Sequence, residues 1–250
     1  GDENLFSTCQ YNKIESIAAE ALRKCFKEKD LENNWQNSYD YTNELIKSYM
    51  TELDRVAELL AKNHITLVAL KNSGITRGLY PFYGSCPMGD LDVLVRKSDF
   101  RKAHEVLVES GYQLKFRSPL EEENIDKAEQ GGGAEYAAIL PNGDNLWFEL
   151  QWRPIAGRWI RHDQEPSGDE LMDRSIEING SLVRLLAPED NLLQVCLHTA
   201  KHSYVRAPGF RLHTDVDRVV RSCSIDWLLF IQRVKQLQVK TPVFLSLIHI

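Results

Sequence analysis

The chain has 250 residues, with 30 Lys and Arg against 36 Asp and Glu, a formal net charge of −6 and 43% hydrophobic residues. That length suffices for one large domain or two small ones with a sizeable core. The acidic balance argues against an extended nucleic-acid surface and leaves only a local basic pocket open. The five cysteines are odd in number and contain no Cys-x-x-Cys, which points to reduced thiols in a cytoplasmic protein rather than a disulfide framework. No apolar run approaches the roughly 18 residues of a membrane span, and no signal-peptide layout opens the chain. The first residue is Gly1 rather than Met, as expected of a remnant of processing or of cloning, and the last residues from Val243 to Ile250 are apolar without a stop signal. The ordered domain, or the natural chain, is therefore expected to continue past residue 250.

Apolar residues Ile14, Ile17, Ala18, Ala21, Leu22 and Cys25 recur at helical spacing over residues 12–29,. A second such pattern covers 43–62, from Leu45 to Leu60. Residues 1–62 thus read as a helical layer packed on a sheet. Ile65 to Leu70 reads as a buried strand, followed by the small-residue turn Lys71-Asn72-Ser73-Gly74 and a helical stretch to Tyr80-Pro81,. In Pro87-Met88-Gly89-Asp90-Leu91-Asp92-Val93-Leu94-Val95 two acids alternate with apolar residues and run into a strand,. Alternation puts Asp90 and Asp92 on one face and Leu91 and Val93 on the other. Paired carboxylates on a rigid strand suit Mg²⁺, which one or two acids commonly hold together with substrate phosphates. An isolated Asp-x-Asp also occurs at solvated strand ends, so the neighbouring elements decide between the two readings.

Ser98 is placed to cap a helix ending at Gly111, and Tyr112 to Phe116 reads as a strand,. Residues 117–133 read as a long polar loop, with Gly131-Gly132-Gly133 as a flexible hinge rather than a phosphate loop, since no nearby Lys or helix start follows. Asn142-Gly143 between two alternating runs signals a hairpin of residues 134–140 and 146–152,. Trp147, Glu149 and Gln151 share one face of its second strand, and an acid there needs a partner or a metal. Arg153, Arg158 and Arg161 follow as triphosphate contacts or as a solvated face. A further hairpin turn at Asn179-Gly180 leads through strand 182–186 into a helix begun at Pro188,. On that helix His198 and His202 are four apart beside Lys201,; as a zinc pair they lack a third ligand and the metalloprotease Glu. Helices are expected at 211–222 and at 225–237, the latter capped by Ser224.

The order of strand, small-residue turn, helix and acidic strand, with Leu70-Lys71, Tyr80-Pro81 and Pro87-Met88-Gly89-Asp90-Leu91-Asp92, resembles nucleotidyltransferases of the DNA polymerase beta superfamily. It is most similar to their uncharacterised bacterial branch. Glu149-Leu150-Gln151-Trp152-Arg153 is similar to that branch's Glu-Leu-His-Trp-Arg run. Asn72 and Cys86 stand where Gly and Arg are usual, which bears on the phosphate turn and on one cationic contact. The resemblance covers about residues 65–220 and implies an α+β fold, a polymerase beta-type core (mixed sheet with helices) at 63–186. A helical layer at 1–62 and a helical subdomain at 187–250 would flank it.

The resemblance further implies transfer of an NMP from an NTP to a hydroxyl with release of pyrophosphate. Asp90, Asp92 and Glu149 would be both the catalytic acids and the ligands of Mg²⁺ or Mn²⁺, with Glu149 assisting deprotonation. Lys71, Asn72 and Ser73 at the turn, with His198 and Lys201, would line the nucleotide side, and Asp215 would hydrogen-bond the His-Lys-His helix. The acceptor, a small molecule, a peptide or an RNA, is open, as is the choice of NTP. Two other classes remain. One is a lapsed nucleotide- or partner-binding module of the same fold. The other is an Asp-x-Asp glycosyltransferase, for whose nucleotide-binding half the helical first 62 residues leave no room.

Overall fold

The computed structural model describes residues 2–25, 33–155, 160–205, 210–248 and 250. Three helices open the chain: α1 (Asp2–Tyr11), α2 (Glu15–Cys25) and α3 (Asn33–Lys62). The expected helix over 12–29 begins only at Glu15, because Lys13 at φ +54° breaks it from α1, and residues 26–29 lie outside the described residues. The second begins already at Asn33. Helix α3 buries Ile46, Tyr49, Met50, Leu53, Val56, Ala57 and Leu60 at three- and four-residue spacing. These form one core with Leu67, Leu91, Val93, Phe148 and Leu150 of the sheet. The N-terminal layer therefore packs on the sheet as its amphipathic pattern requires.

Strand β1 (Leu67–Ala69) leads into α4 (Lys71–Gly74) and a π-helical turn at Ile75–Leu79, and β2 (Asp90–Leu94) follows. Next come α5 (Phe100–Glu109), β3 (Gln113–Leu114), α6 (Ile125–Gly131), β4 (Gly133–Ile139) and β5 (Asn145–Gln151). The polar stretch 117–133 is thus not all loop. Asn124 Oδ1 accepts from the N–H groups of Asp126 and Lys127 and caps α6, while Gly132 ends it at φ +101°. The triple Gly is a helix stop leading into a strand, and not a hinge, since only Gly takes that left-handed backbone without strain. The hairpin at Asn142-Gly143 forms as expected. Ser98 does not cap α5; a short 3₁₀ turn at Lys97–Asp99 leads into it.

Then follow α7 (Gly168–Arg174), β6 (Ile176–Glu177), β7 (Val183–Leu185) and four helices, α8 (Pro188–Val205), α9 (Phe210–Ser222), α10 (Trp227–Gln236) and α11 (Lys240–Leu247). Asp226, rather than Ser224, caps α10, accepting from the N–H groups of Leu228 and Leu229. Among the described residues the strands form one mixed seven-stranded sheet of order β3-β4-β5-β2-β1-β7-β6, with β2·β5 and β1·β7 parallel. The fold is α+β. No helix among the described residues is long and apolar enough to cross a membrane, and all five thiols are free.

Helix α4 lies against the strand that precedes it. A Cβ at Gly74 would sit 2.7 Å from the Ala69 carbonyl oxygen, a backbone atom that cannot swing aside. Gly74→Ala should lower stability by about 1–3 kcal/mol, the overpacking cost exceeding Ala's gain of about 1 kcal/mol in helix propensity. Urea denaturation checks this; an unchanged midpoint would mean that α4 does not pack this closely on β1.

Candidate active site

Parallel pairing of β2 with β5 sets Asp92 opposite Glu149, and Asp90 opposite Trp147. Leu91, Val93, Phe148 and Leu150 point to the core beneath α3, so period-two alternation sends the acids to the other face,. That face looks into a cleft of about 850 Å³ lined by residues from the sheet, the 116–122 loop and α8, among them Lys71, Glu149, Gln151, His198 and Lys201. Asp92 Oδ1 and Glu149 Oε2 share one donor, Gln151 Nε2, at 3.0 and 2.9 Å. This holds the two oxygens within about 6 Å of each other.

The ammonium of Lys71 also bridges the two acids. It contacts Asp92 Oδ1 and lies 3.4 Å from Glu149 Oε2. Lys71 is the turn residue in the left-handed region, at φ +49°, and not Asn72, although Asn72 is the one that stands where Gly is usual. That conformation begins α4 at the end of β1 and lets the Lys71 N–H donate to Gln194 Oε1 of α8 at 3.1 Å. Asn72 is buried instead: its Nδ2 reaches Pro87 O at 3.4 Å, and among the described residues its Oδ1 has no hydrogen-bond partner. Ser73 does not line the cleft either. It is fully buried, and its Oγ accepts the Asp92 N–H at 2.9 Å, so it ties α4 to the acidic strand.

Burial opposes the charge on Lys71, but Asp92, Glu149 and Asp90 outweigh it and raise its pKa. In the coupled carboxylate pair Asp92 is the more enclosed, its side chain 5% exposed against 17% for Glu149. Burial first, and then Glu149 and Asp90, raise its pKa well above the usual Asp value against the pull of Lys71. His198 is held neutral by burial and by Lys71, His202, Lys201 and Arg211. Burial and Lys71 also lower the pKa of Lys201, against Glu149 and Asp92.

Lys71→Met should destabilise the protein by about 3 kcal/mol at pH 8, since it strips a buried carboxylate pair of its cation. The raised lysine pKa keeps Lys71 charged at both pH 8 and pH 5, below the ordinary lysine value of 10.5,. At pH 5 the orphaned carboxylates of the variant take up a proton, and its deficit should shrink. Denaturation midpoints at the two pH values measure this; a deficit equal at both would show that Lys71 contributes packing rather than charge.

Two residues that sequence reasoning passed over complete the cluster. Arg117, just after β3, donates from Nη1 to Asp90 Oδ2 at 2.6 Å, from Nη2 to Glu149 Oε1, and from Nε to Glu135 Oε2 at 3.0 Å. Glu135 is the β4 partner of Glu149 and shares its face. The alternation of Leu114 and Phe116 already implied that Arg117 faces away from the core, and Ala134 and Tyr136 imply the same of Glu135.

Other expected residues have other partners, although Arg153 lines the cleft. Arg153 is paired to Glu165 with Nε–Oε2 at 2.7 Å, Arg161 lies exposed near Asp163, and Arg158 is outside the described residues. Cys86 is buried against Arg218 of α9, whose Nη1 lies 3.5 Å from its Sγ. A cation thus reaches from α9 the place where Arg is usual in the sequence. Asp215 is buried, with its Oδ1 3.9 Å from Arg218 Nη1 and, among the described residues, lacking a hydrogen bond. Burial, opposed by Arg211 and Arg218, raises its pKa to about 6.

Asp90, Asp92 and Glu149 supply hard carboxylate oxygens on one face of one sheet, the donor chemistry that Mg²⁺ and Mn²⁺ require,. Among the described residues no group of three or more His, Cys, Asp and Glu is arranged around one metal position. Lys71 and Arg117 draw the carboxylate oxygens toward themselves instead. The donor set fits the ion, and the side-chain cations contact the same oxygens.

A solution structure of the antibiotic-resistance factor ANT(2'')-Ia is similar to this chain at 10% identity, covering 82% of this chain and 96% of that one, with a TM-score of 0.49. A crystal structure of an antigenic nucleotidyltransferase-like protein from Paracoccidioides brasiliensis is similar at 14% identity, covering 80% and 91%, with a TM-score of 0.46. No curated protein matches the sequence. A family model described as uncharacterised nucleotidyltransferase matches residues 2–250. On that match over nearly its whole length, the chain belongs to the uncharacterised nucleotidyltransferase family.

Proposed function

We propose that the protein transfers an NMP from an NTP to a hydroxyl of its acceptor, with Mg²⁺ or Mn²⁺ held by Asp90, Asp92 and Glu149. The observation that carries this reading is the parallel register of Asp92 with Glu149, with Asp90 two residues earlier on the same face, next to a cleft that Glu149 lines. Bound there, the ions offset triphosphate charge and lower the pKa of the acceptor hydroxyl. The acceptor oxygen attacks the α-phosphorus, the bond from that phosphorus to the bridging oxygen breaks, and pyrophosphate leaves. Glu149 receives the acceptor proton. Lys71 and Lys201 face the phosphates as point charges, and neutral His198 beside them adds no further charge,. Ser73 and Gln151 act beneath: one holds the backbone of Asp92, the other fixes the spacing of the two carboxylates.

Asn72, buried and turned toward Pro87, serves the shape of the turn. The protein is placed by this reading in the cytoplasm, where NTPs and reduced thiols coexist.

The rival, a nucleotide-binding module without turnover, is favoured by one feature: both side-chain cations already neutralise the carboxylates. Pyrophosphate release from each NTP, with small-molecule, peptide and RNA acceptors in turn, separates the two. Release that depends on one acceptor supports transfer. Metal-dependent binding of an NTP with no release from any pairing supports the module.

A further inference from the structure

The guanidinium of Arg117 is held in two unequal ways. Glu135 Oε2 accepts both its Nε–H and the Arg117 backbone N–H, each at 3.0 Å, which fixes the inner end of the group. Its outer nitrogens reach Asp90 Oδ2 and Glu149 Oε1. These belong to two of the three carboxylates to which the proposed function gives the ions. A divalent cation about 2.1 Å from either oxygen would stand against a full positive charge in hydrogen-bond contact with the same atom, an unfavourable like-charge contact. Lys71, on the far side of the pair, contacts Asp92 Oδ1 and Glu149 Oε2 and leaves the outer oxygens to Arg117.

We infer that Arg117 and a divalent cation are alternative occupants of the outer oxygens of Asp90 and Glu149. As the ion arrives, Nη1 and Nη2 let go, while Glu135 keeps the residue tethered beside the cleft that Phe116 and Leu120 line. Arg117 is thus a positioning residue: it keeps the carboxylates neutralised and spaced, then turns its fork to phosphate, for which a planar guanidinium is suited. The segment beyond it is tied at its far end to α6, where Asn124 caps the helix and Ala128 N–H donates to Asn124 O. Its backbone bonds, Glu121 N–H to Ser118 O and Asn124 N–H to Glu122 O, are internal to the loop. Phe116, Leu120 and Glu121 of that loop line the cleft.

This inference rests on the metal-holding role proposed above, and Mn²⁺ alone tests both. Free Mn²⁺ is followed by electron paramagnetic resonance during titration of wild type, Arg117→Gln, Arg117→Lys and Asp92→Asn, without nucleotide. Arg117→Gln should bind Mn²⁺ about tenfold more tightly than wild type, and Arg117→Lys close to wild type, because it keeps the charge. Trp147, whose ring centroid lies 5.6 Å from the guanidinium carbon, should change its fluorescence as Mn²⁺ or Mg²⁺ displaces Arg117, and a Trp147→Phe control should lack that change. An Arg117 that only anchored its loop would leave Mn²⁺ affinity unmoved. Uptake by wild type that Asp92→Asn abolishes but Arg117→Gln leaves unchanged or weakens overturns this inference alone. No Mn²⁺ uptake by wild type or Arg117→Gln overturns the metal role and this inference together.

Discussion

Asp92→Asn should lose transfer by at least about 10³-fold and lose metal-dependent nucleotide binding with it, because it removes charge from an ion that must offset a triphosphate. The variant should still fold. Asn keeps an oxygen to accept from Gln151 Nε2, and the bond from the Asp92 N–H to Ser73 Oγ belongs to the backbone. Removing a buried charge whose own burial disfavours it also relieves the native state,. A normal melting transition with no nucleotide bound is therefore the expected pair of results. Wild-type transfer by Asp92→Asn would exclude Asp92 from the chemistry.

Glu149→Gln should separate binding from chemistry. Asp90 and Asp92 remain to hold the ion that carries the phosphates, so nucleotide affinity should stay within about threefold of wild type. Transfer should fall about 10²- to 10³-fold, since the group proposed to receive the acceptor proton is lost. Calorimetry beside a pyrophosphate-release assay resolves the two effects. Equal losses of binding and transfer would assign Glu149 to nucleotide binding rather than to the acceptor side. Compensation within the pair is limited by geometry, because Lys71 and Gln151 each touch both acids and a change at one shifts the partners of the other.

The acidic strand was legible because its two signals agree: Asp-Leu-Asp alternation, and an apolar run too short for anything but a strand. Glu149 was legible through Asn142-Gly143, which fixes the hairpin register and with it the face of every residue in β5,. What sequence reasoning missed depends on contacts distant in the chain. Arg117 reaches Asp90 and Glu149 only because β3 pairs with β4 at the sheet edge and β4 with β5. Helix α6 carries Ile125-Asp-Lys-Ala-Glu-Gln-Gly131, too few apolar residues to show a helical period, and its cap at Asn124 is the one local sign of it. The positive φ fell on Lys71 rather than Asn72 because a β-strand must turn at once into a helix whose side chain has two carboxylates to meet. Ser73 points inward for the same reason: once Lys71 faces the acids, the next turn of backbone carries the hydroxyl under β2.

Calorimetric titration of ATP and GTP with Mg²⁺, and again with Mn²⁺, into wild type, Asp92→Asn and Glu149→Gln tests the nucleotide site most directly. Wild type should bind one of the nucleotides only while metal is present, lose it on chelation, and share that binding with Glu149→Gln but not with Asp92→Asn. Wild type that binds neither nucleotide with either metal, or binds equally well after chelation, contradicts a metal-dependent site at Asp90, Asp92 and Glu149.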